Sequence, residues 1–238
     1  MIEARGLVKA FGLLPVLRGL DFSVPRGAFL ALLGPNGSGK TTLVRILAAL
    51  SRPTAGRVTI GGWELPQEAA AVRAQLGVVA HLPLLYDDLT AAENLAFYAR
   101  LYDLPPQERR SRIQEVLERV GLAARANDLV RTFSRGMQQR LAIGRAILHR
   151  PHVLLLDEPY TGLDQDAAAM LDALLRDVAR DGHTIVMTTH DLHRALALSS
   201  HVAILSRGKL GHYGPSSAIR PEEFPRLYAD VTGAASLR

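Results

Sequence analysis

Three kinds of hydrophobic pattern run along this chain. Short apolar runs at Phe29–Leu33, Leu76–Ala80, Val153–Leu156, Thr184–Thr188 and Val202–Leu205 read as strands, buried on both faces where the run is unbroken, as in a parallel sheet. Near the N-terminus Val16, Leu20, Phe22 and Val24 partly alternate with Arg18, Asp21 and Ser23, which predicts half-buried antiparallel strands over Met1–Phe22. Arg57–Ile60, set between the turn Pro53–Gly56 and the pair Gly61-Gly62, adds a short strand to that β structure. Elsewhere apolar residues recur at three and four positions, the spacing of one helix face. Leu43, Ile46, Leu47 and Leu50 form one such set; Leu95, Tyr98, Ala99 and Tyr102 a second; Ile113, Val116, Leu117 and Val120 a third; Leu141, Ala142, Arg145 and Leu148 mark a fourth helix.

Boundary residues sharpen these elements. Thr90-Ala91-Ala92-Glu93 has the spacing of a capping box, Pro105-Pro106 opens the next helix and Gly121 stops it, and Ser134-Arg135-Gly136 precedes another. Helices also occupy about Asp166–Arg180, ended by Gly182, and Asp191–Ser199; Arg207-Gly208 turns a hairpin. Helices thus cluster between two strand-bearing halves. The chain is expected to be one α/β domain over 1–238, with a core of 1–89 and 150–215 and an inserted helical subdomain at 90–149; the tail at 216–238 has no readable pattern. His81-Leu82-Pro83-Leu84-Leu85-Tyr86 is an apolar segment in a loop, which implies either a partner or a subdomain lying over it.

With 238 residues, 48% of them hydrophobic, the chain can bury a sizeable core. Its longest apolar runs fall far short of the roughly 20 residues that cross a bilayer, and Glu3 and Arg5 give an N-terminus unlike a signal peptide. Absence of cysteine rules out disulfides and thiolate metal sites. These features suit the cytoplasm. The net charge of +5 is carried mostly by arginine, without an aromatic-interleaved basic cluster, so no direct nucleic acid contact is expected. Arg109, Arg110 and Arg112 share a helix with Glu108, Glu115 and Glu118, which reads as a solvated mixed-charge face.

The chemistry centres on Gly34-Pro35-Asn36-Gly37-Ser38-Gly39-Lys40-Thr41-Thr42, placed between the first buried strand and the first helix. In a G-x-x-x-x-G-K-T loop, backbone N–H groups wrap a phosphate, the helix N-terminus points at it, and one ammonium and one hydroxyl stand beside it. The implied ligand is a nucleoside triphosphate with magnesium. Lys40 is one of only three lysines, with Lys9 and Lys209. A strand ending in Asp157 and Glu158 sets two carboxylates at the ligand-binding edge of an open α/β sheet, projecting to opposite sides. One can hold magnesium, usually through water; the other can orient and deprotonate an attacking water. Ser134 to Gln138 supplies a hydroxyl and free N–H groups at a helix start, by itself just a capped helix. His190, after an apolar strand, either hydrogen-bonds a terminal phosphate or is structural. Phe11 either stacks on an adenine ring or belongs to the core.

The order Gly34–Thr41, Ser134–Gln138, Leu154–Glu158, Gly162-Leu163-Asp164 and His190 resembles the nucleotide-binding subunit of ABC transporters over nearly the whole chain. The resemblance implies a P-loop NTPase of the ABC ATPase kind, with a mixed core sheet, an antiparallel β subdomain and an inserted helical subdomain. It implies a head-to-tail homodimer holding two ATP molecules with Mg2+, each between the Lys40 loop of one copy and the Ser134–Gly136 helix start of the other. Phe11 then matches the adenine-stacking aromatic, Asp164 the link between the two sites, and His190 the γ-phosphate contact. Lys40 would stabilise phosphate charge, Thr41 and Asp157 hold magnesium, and Glu158 act as base. Separate transmembrane permease subunits, met at the cytoplasmic face of the cell membrane, are the implied partners, and Leu82, Leu84, Leu85 and Tyr86 are candidates for that contact or for burial under the helical subdomain. Two departures stand out. Phe133-Ser134-Arg135-Gly136-Met137 replaces the usual Leu-Ser-Gly-Gly-Gln, and His81 replaces the glutamine that touches magnesium. Together with Gly77–Pro83, Ser134–Arg140 and Pro159–Gly162, His81 makes the chain resemble the ATPase subunit of the cytochrome c maturation haem exporter. ATPases of drug, lipid or polysaccharide exporters are the alternative, followed by a soluble ABC ATPase acting on ribosomes or DNA.

Overall fold

The computed structural model describes residues 1–80 and 82–233. In chain order these form strands β1 (Ile2–Phe11), β2 (Leu14–Val24) and β3 (Phe29–Leu33), helix α1 (Lys40–Leu47), strands β4 (Ala55–Ile60) and β5 (Trp63–Leu65), helix α2 (Ala69–Ala74) and strand β6 (Leu76–Val79). Helices α3 (Ala91–Leu101), α4 (Pro106–Arg119) and α5 (Arg135–Ile147) follow. The chain then alternates through β7 (Val153–Asp157), α6 (Gln165–Arg180), β8 (Thr184–Thr188), α7 (Leu192–Leu198), β9 (His201–Ser206), β10 (Lys209–Pro215) and α8 (Phe224–Thr232).

Two sheets result. The smaller is antiparallel with order β2-β1-β4-β5; the larger has order β10-β9-β3-β8-β7-β6. In the larger sheet β3 pairs in parallel with β8 and β9, and β7 with β6 and β8. Only β10 runs antiparallel, through the hairpin at Arg207-Gly208, so the sheet is mixed. The parallel strands are apolar throughout because both faces are covered. Val153 and Leu155 of β7 pack toward α1 and the small sheet, whereas Leu154 and Leu156 pack toward α5 and α6. That alternation makes one strand serve two cores. Each fully buried Leu contributes roughly 1.5–3 kcal/mol, so β7, carrying the carboxylates, is among the most firmly seated elements. Leu95, Val116 and Leu141 of the three inserted helices belong to the same core cluster as Val79 and Leu156, which ties those helices to the sheet.

The capping box at Thr90 is present: Thr90 Oγ1 accepts from Glu93 N–H at 3.1 Å and Glu93 accepts from Thr90 N–H at 2.8 Å. Arg112 corrects the reading of a solvated face. It is buried, donating from Nε to Leu148 O at 2.9 Å and from Nη2 to Ile147 O at 2.6 Å. The guanidinium thereby satisfies Leu148 O, which has no helical donor, and shares Ile147 O with the Arg150 N–H. β5, α2 and α8 had no signal in the patterns above. α8 packs through Phe224 on a third cluster with Ala31, Leu33, Ala195, Val202 and Ile204, so part of the tail beyond residue 215 belongs to the core.

Candidate functional site

The glycine-rich loop leaves β3 and enters α1 at the carboxyl edge of the parallel sheet. Gly34 has φ 150° and passes the chain so close to β9 that a Cβ there would stand 2.1 Å from Leu205 O. No side chain fits. Ser38 is buried behind the loop, and its carbonyl accepts from Gly208 N–H at 3.2 Å. Lys40, the first residue of α1 and 7% exposed, donates to Gly34 O at 2.7 Å and Pro35 O at 3.3 Å; its Nζ lies 3.8 Å from Glu158 Oε1.

The two carboxylates do not part as strand alternation predicts. Asp157 ends β7 in regular geometry, but Glu158 turns left-handed at φ 53°, and both border the start of α1. Thr41 Oγ1 donates to Asp157 Oδ1 at 3.5 Å, while Glu158 Oε2 meets His190 Nδ1 at 2.9 Å. Thr188, fully buried at the end of β8, donates its hydroxyl to Asp157 Oδ1 at 2.7 Å and accepts from Glu158 N–H at 2.8 Å. These groups frame a cleft of about 610 Å³ lined by Pro35, Asn36, Gly37, Gly39, Lys40, Thr41, Thr42, Val16, Glu158, Thr161 and His190. N–H groups at a helix start and one ammonium in the cleft suit a polyphosphate, with the Glu158 carboxylate in the lining and the buried Asp157 behind Thr41. Hydroxyl and carboxylate oxygens are the donors that a hard divalent cation takes, so Thr41 and Asp157 fit magnesium.

Ser134, Gly136, Gln138 and Asp164 are not among the residues lining this cleft. Ser134 caps α5, accepting from Met137 N–H at 3.3 Å, and Asp164 caps α6, accepting from Ala167 N–H at 2.7 Å. Gly136 is buried, and Gln138 donates to Val130 O at 3.4 Å. Arg135 joins the start of α5 to the loop ahead of α6 through a 2.6 Å bond from Nε to Thr161 O. Beside it Tyr160 donates to Asp172 Oδ1 at 2.6 Å under the Arg194 guanidinium, and burial raises its phenol pKa.

Phe11 is 56% exposed with the Lys9 ammonium 4.7 Å above its ring, so it is not a core residue; it lies outside the lining set. His81 lies outside the described residues. Leu82, Leu84 and Tyr86 are exposed, not buried by the helical region, and Leu85 packs partly against the core. The fully buried Asn94 holds that loop, accepting from Tyr86 N–H at 2.8 Å and donating to Tyr86 O at 3.0 Å. Sequence reasoning missed Val16, Thr161 and Thr188. For Thr188 a signal exists: a hydroxyl ends an apolar run just before His190.

The ABC transporter family profile matches residues 17–161. Linearmycin resistance ATP-binding protein LnrL of Bacillus subtilis is 35% identical over 88% of this chain and 68% of its own length. Daunorubicin resistance ATP-binding protein DrrA3 of Streptomyces coeruleorubidus is 37% identical over 93% of this chain and 70% of its own length. Nod factor export ATP-binding protein I of Ralstonia nicotianae is 38% identical over 88% and 65%. The chain therefore spans about two thirds of the length of these relatives. Among solved structures, an ATP-binding subunit of an ABC transporter superposes with TM-score 0.86 at 30% identity, covering 97% of this chain and 99% of the other. A dimeric post-hydrolysis state of the ATP-binding cassette MJ0796, bound to ADP and Pi, gives 0.81 at 28% identity over 91% and 99%. On the family match over residues 17–161 and these relatives, the chain belongs to the ABC transporter family as an ATP-binding, ATP-hydrolysing subunit.

Proposed function

We propose that this subunit powers an exporter of small organic molecules, of the kind that confers drug resistance. Three relatives support the reading: two are named for resistance to linearmycin and daunorubicin, and one for export of Nod factor. None of these names mentions haem, and the haem-exporter expectation rested chiefly on His81, so the exporter of drug type takes its place.

The observation that supports the mechanism is that Lys40, Thr41, Glu158 and His190 line one cleft, with Asp157 bonded to Thr41 behind it. Lys40 and the loop N–H groups from Gly34 to Thr42 bind the β- and γ-phosphates and stabilise the charge that develops in transfer. Thr41 and Asp157 hold magnesium, which when bound neutralises phosphate charge. Glu158 orients and deprotonates the attacking water, and His190, hydrogen-bonded to Glu158, contacts the γ-phosphate. Phe11 stacks on the adenine from the exposed end of β1. Ser134, Gly136 and Gln138 stand away from their own cleft and complete the partner copy's, with Asp164 between the two sites. That requires the head-to-tail homodimer. The helical insertion at 90–149 carries the Ser134 face, and Leu82, Leu84 and Tyr86 present an apolar surface to separate permease subunits. Among the described residues no helix is long and apolar enough to cross a membrane. The permease subunits supply the path, with this chain docked on them at the cytoplasmic face.

Trapping a tagged Glu158→Gln variant with ATP in gently solubilised membranes tests the reading. The expected co-purifying partners are permease subunits whose loss sensitises cells to a drug. Haem-handling subunits would restore the haem-exporter reading, and ribosomes or DNA without membrane protein would overturn the transporter role.

A further inference from the structure

From its two hydrogen bonds we infer that Thr188 is a positioning residue for hydrolysis, one hydroxyl fixing Asp157 and Glu158 together. The inference rests on the reading of these residues as magnesium ligand and base, and deepens it. Thr188 closes β8, whose parallel register with β7 sets Thr188 directly opposite Asp157. Its side chain has no exposed surface, so water cannot substitute for its bonds. The hydroxyl proton goes to Asp157 Oδ1 at 2.7 Å, and the oxygen receives Glu158 N–H at 2.8 Å.

The second bond explains how the base reaches the cleft. A residue leaving β7 in extended geometry projects away from Asp157. Glu158 instead adopts φ 53°, a left-handed conformation that a side chain with Cβ disfavours. In that conformation its N–H loses the sheet ladder, and Thr188 Oγ1 is the acceptor it finds. The first bond occupies one oxygen of Asp157, the same atom that faces Thr41, which orients the carboxylate as a whole. Thr188 is not among the residues lining the cleft. It acts through its two neighbours, and a hydroxyl is required because one atom must both donate and accept.

Thr188→Val keeps the shape and removes both bonds. We expect kcat for ATP to fall by about 10- to 100-fold, the scale of misplacing a catalytic group by an ångström, with KM for ATP within threefold of wild type at saturating Mg2+. Thr188→Ser restores kcat to within threefold. Thr188→Ala, which leaves space where valine puts a methyl group, carries the same expectation as valine and serves if valine prevents folding. In a Glu158→Gln background, where residual single-turnover hydrolysis no longer uses the base, only the part of the loss that runs through Asp157 remains, so Thr188→Val should cost clearly less than in the wild-type background. Wild-type kcat in both Val and Ala variants, or an undiminished loss in the Gln background, overturns the inference alone. Full activity of Glu158→Gln by itself overturns the base reading and the inference with it.

Discussion

Arg135 stands where most family members carry glycine, and its contact with Gly162 yields a quantitative prediction. Gly162 has φ 75°, and a Cβ added there would lie 2.7 Å from Arg135 Nε, 3.0 Å from Cδ and 3.1 Å from Cζ. Gly162→Ala therefore brings two costs. Left-handed backbone with a Cβ costs about 1 kcal/mol or somewhat more. Displacing the exposed guanidinium breaks the 2.6 Å bond to Thr161 O, at about 1 kcal/mol. The single variant should lose about 2 kcal/mol and Arg135→Ala about 1 kcal/mol. The double variant should also lose only about 2 kcal/mol, because the bond can be broken only once; non-additivity of about 1 kcal/mol is the signature of contact. Urea unfolding of the four purified proteins without nucleotide measures it. Additive losses, or a Gly162→Ala variant as stable as wild type, refute the reasoning. Such a result would also free the loop between Glu158 and Asp164 from the Ser134 helix start.

Three further outcomes follow from separate contacts. Arg112→Ala should destabilise the chain by about 1–3 kcal/mol in urea unfolding, since it leaves Leu148 O without a donor and Ile147 O with the Arg150 N–H alone; Arg112→Lys should recover less than half, as one ammonium does not reproduce the guanidinium's planar fork. Burial lowers the pKa of His149, His183 and His212 below 6.5, so the unfolded chain binds more protons than the folded one once pH drops toward that value. Stability present above pH 6.5 should be lost as pH falls below it, and His149→Gln, which keeps a donor for Leu76 O, should flatten the slope of Tm against pH. Lys40→Ala should reduce ATP turnover at least 100-fold, read by phosphate release on protein shown to be folded; wild-type turnover would remove Lys40 from the site.

The strands, the helix starts and the phosphate loop were legible because each depends on neighbours in sequence. Val153–Leu156 is apolar on both faces wherever it is buried, and Thr90 meets Glu93 by the geometry of one helical turn. The errors arise where distant elements meet. Arg112 reads as solvated from its own helix, yet its partners are carbonyls at the end of α5, which no local pattern foretells. Strand alternation sent Glu158 away from Asp157, but a left-handed residue held by Thr188 from the next strand returned it. β5 and α2 are too short for periodicity to register, and α8 declares itself only once Phe224 finds β9 and α7. The separation of Ser134 from Lys40 followed from the family resemblance, not from any spacing.

The account's central claim is that ATP is held between two copies, the Lys40 loop of one and the Ser134 helix start of the other. Light scattering on size-exclusion peaks of the Glu158→Gln protein, with and without ATP and Mg2+, tests it most directly. The account predicts a doubling of mass when ATP is bound, abolished by adding Ser134→Glu, whose charge repels the phosphates, while ATP still binds each single copy through Lys40. A protein that stays single with ATP fully bound, or a dimer indifferent to Ser134→Glu, contradicts it.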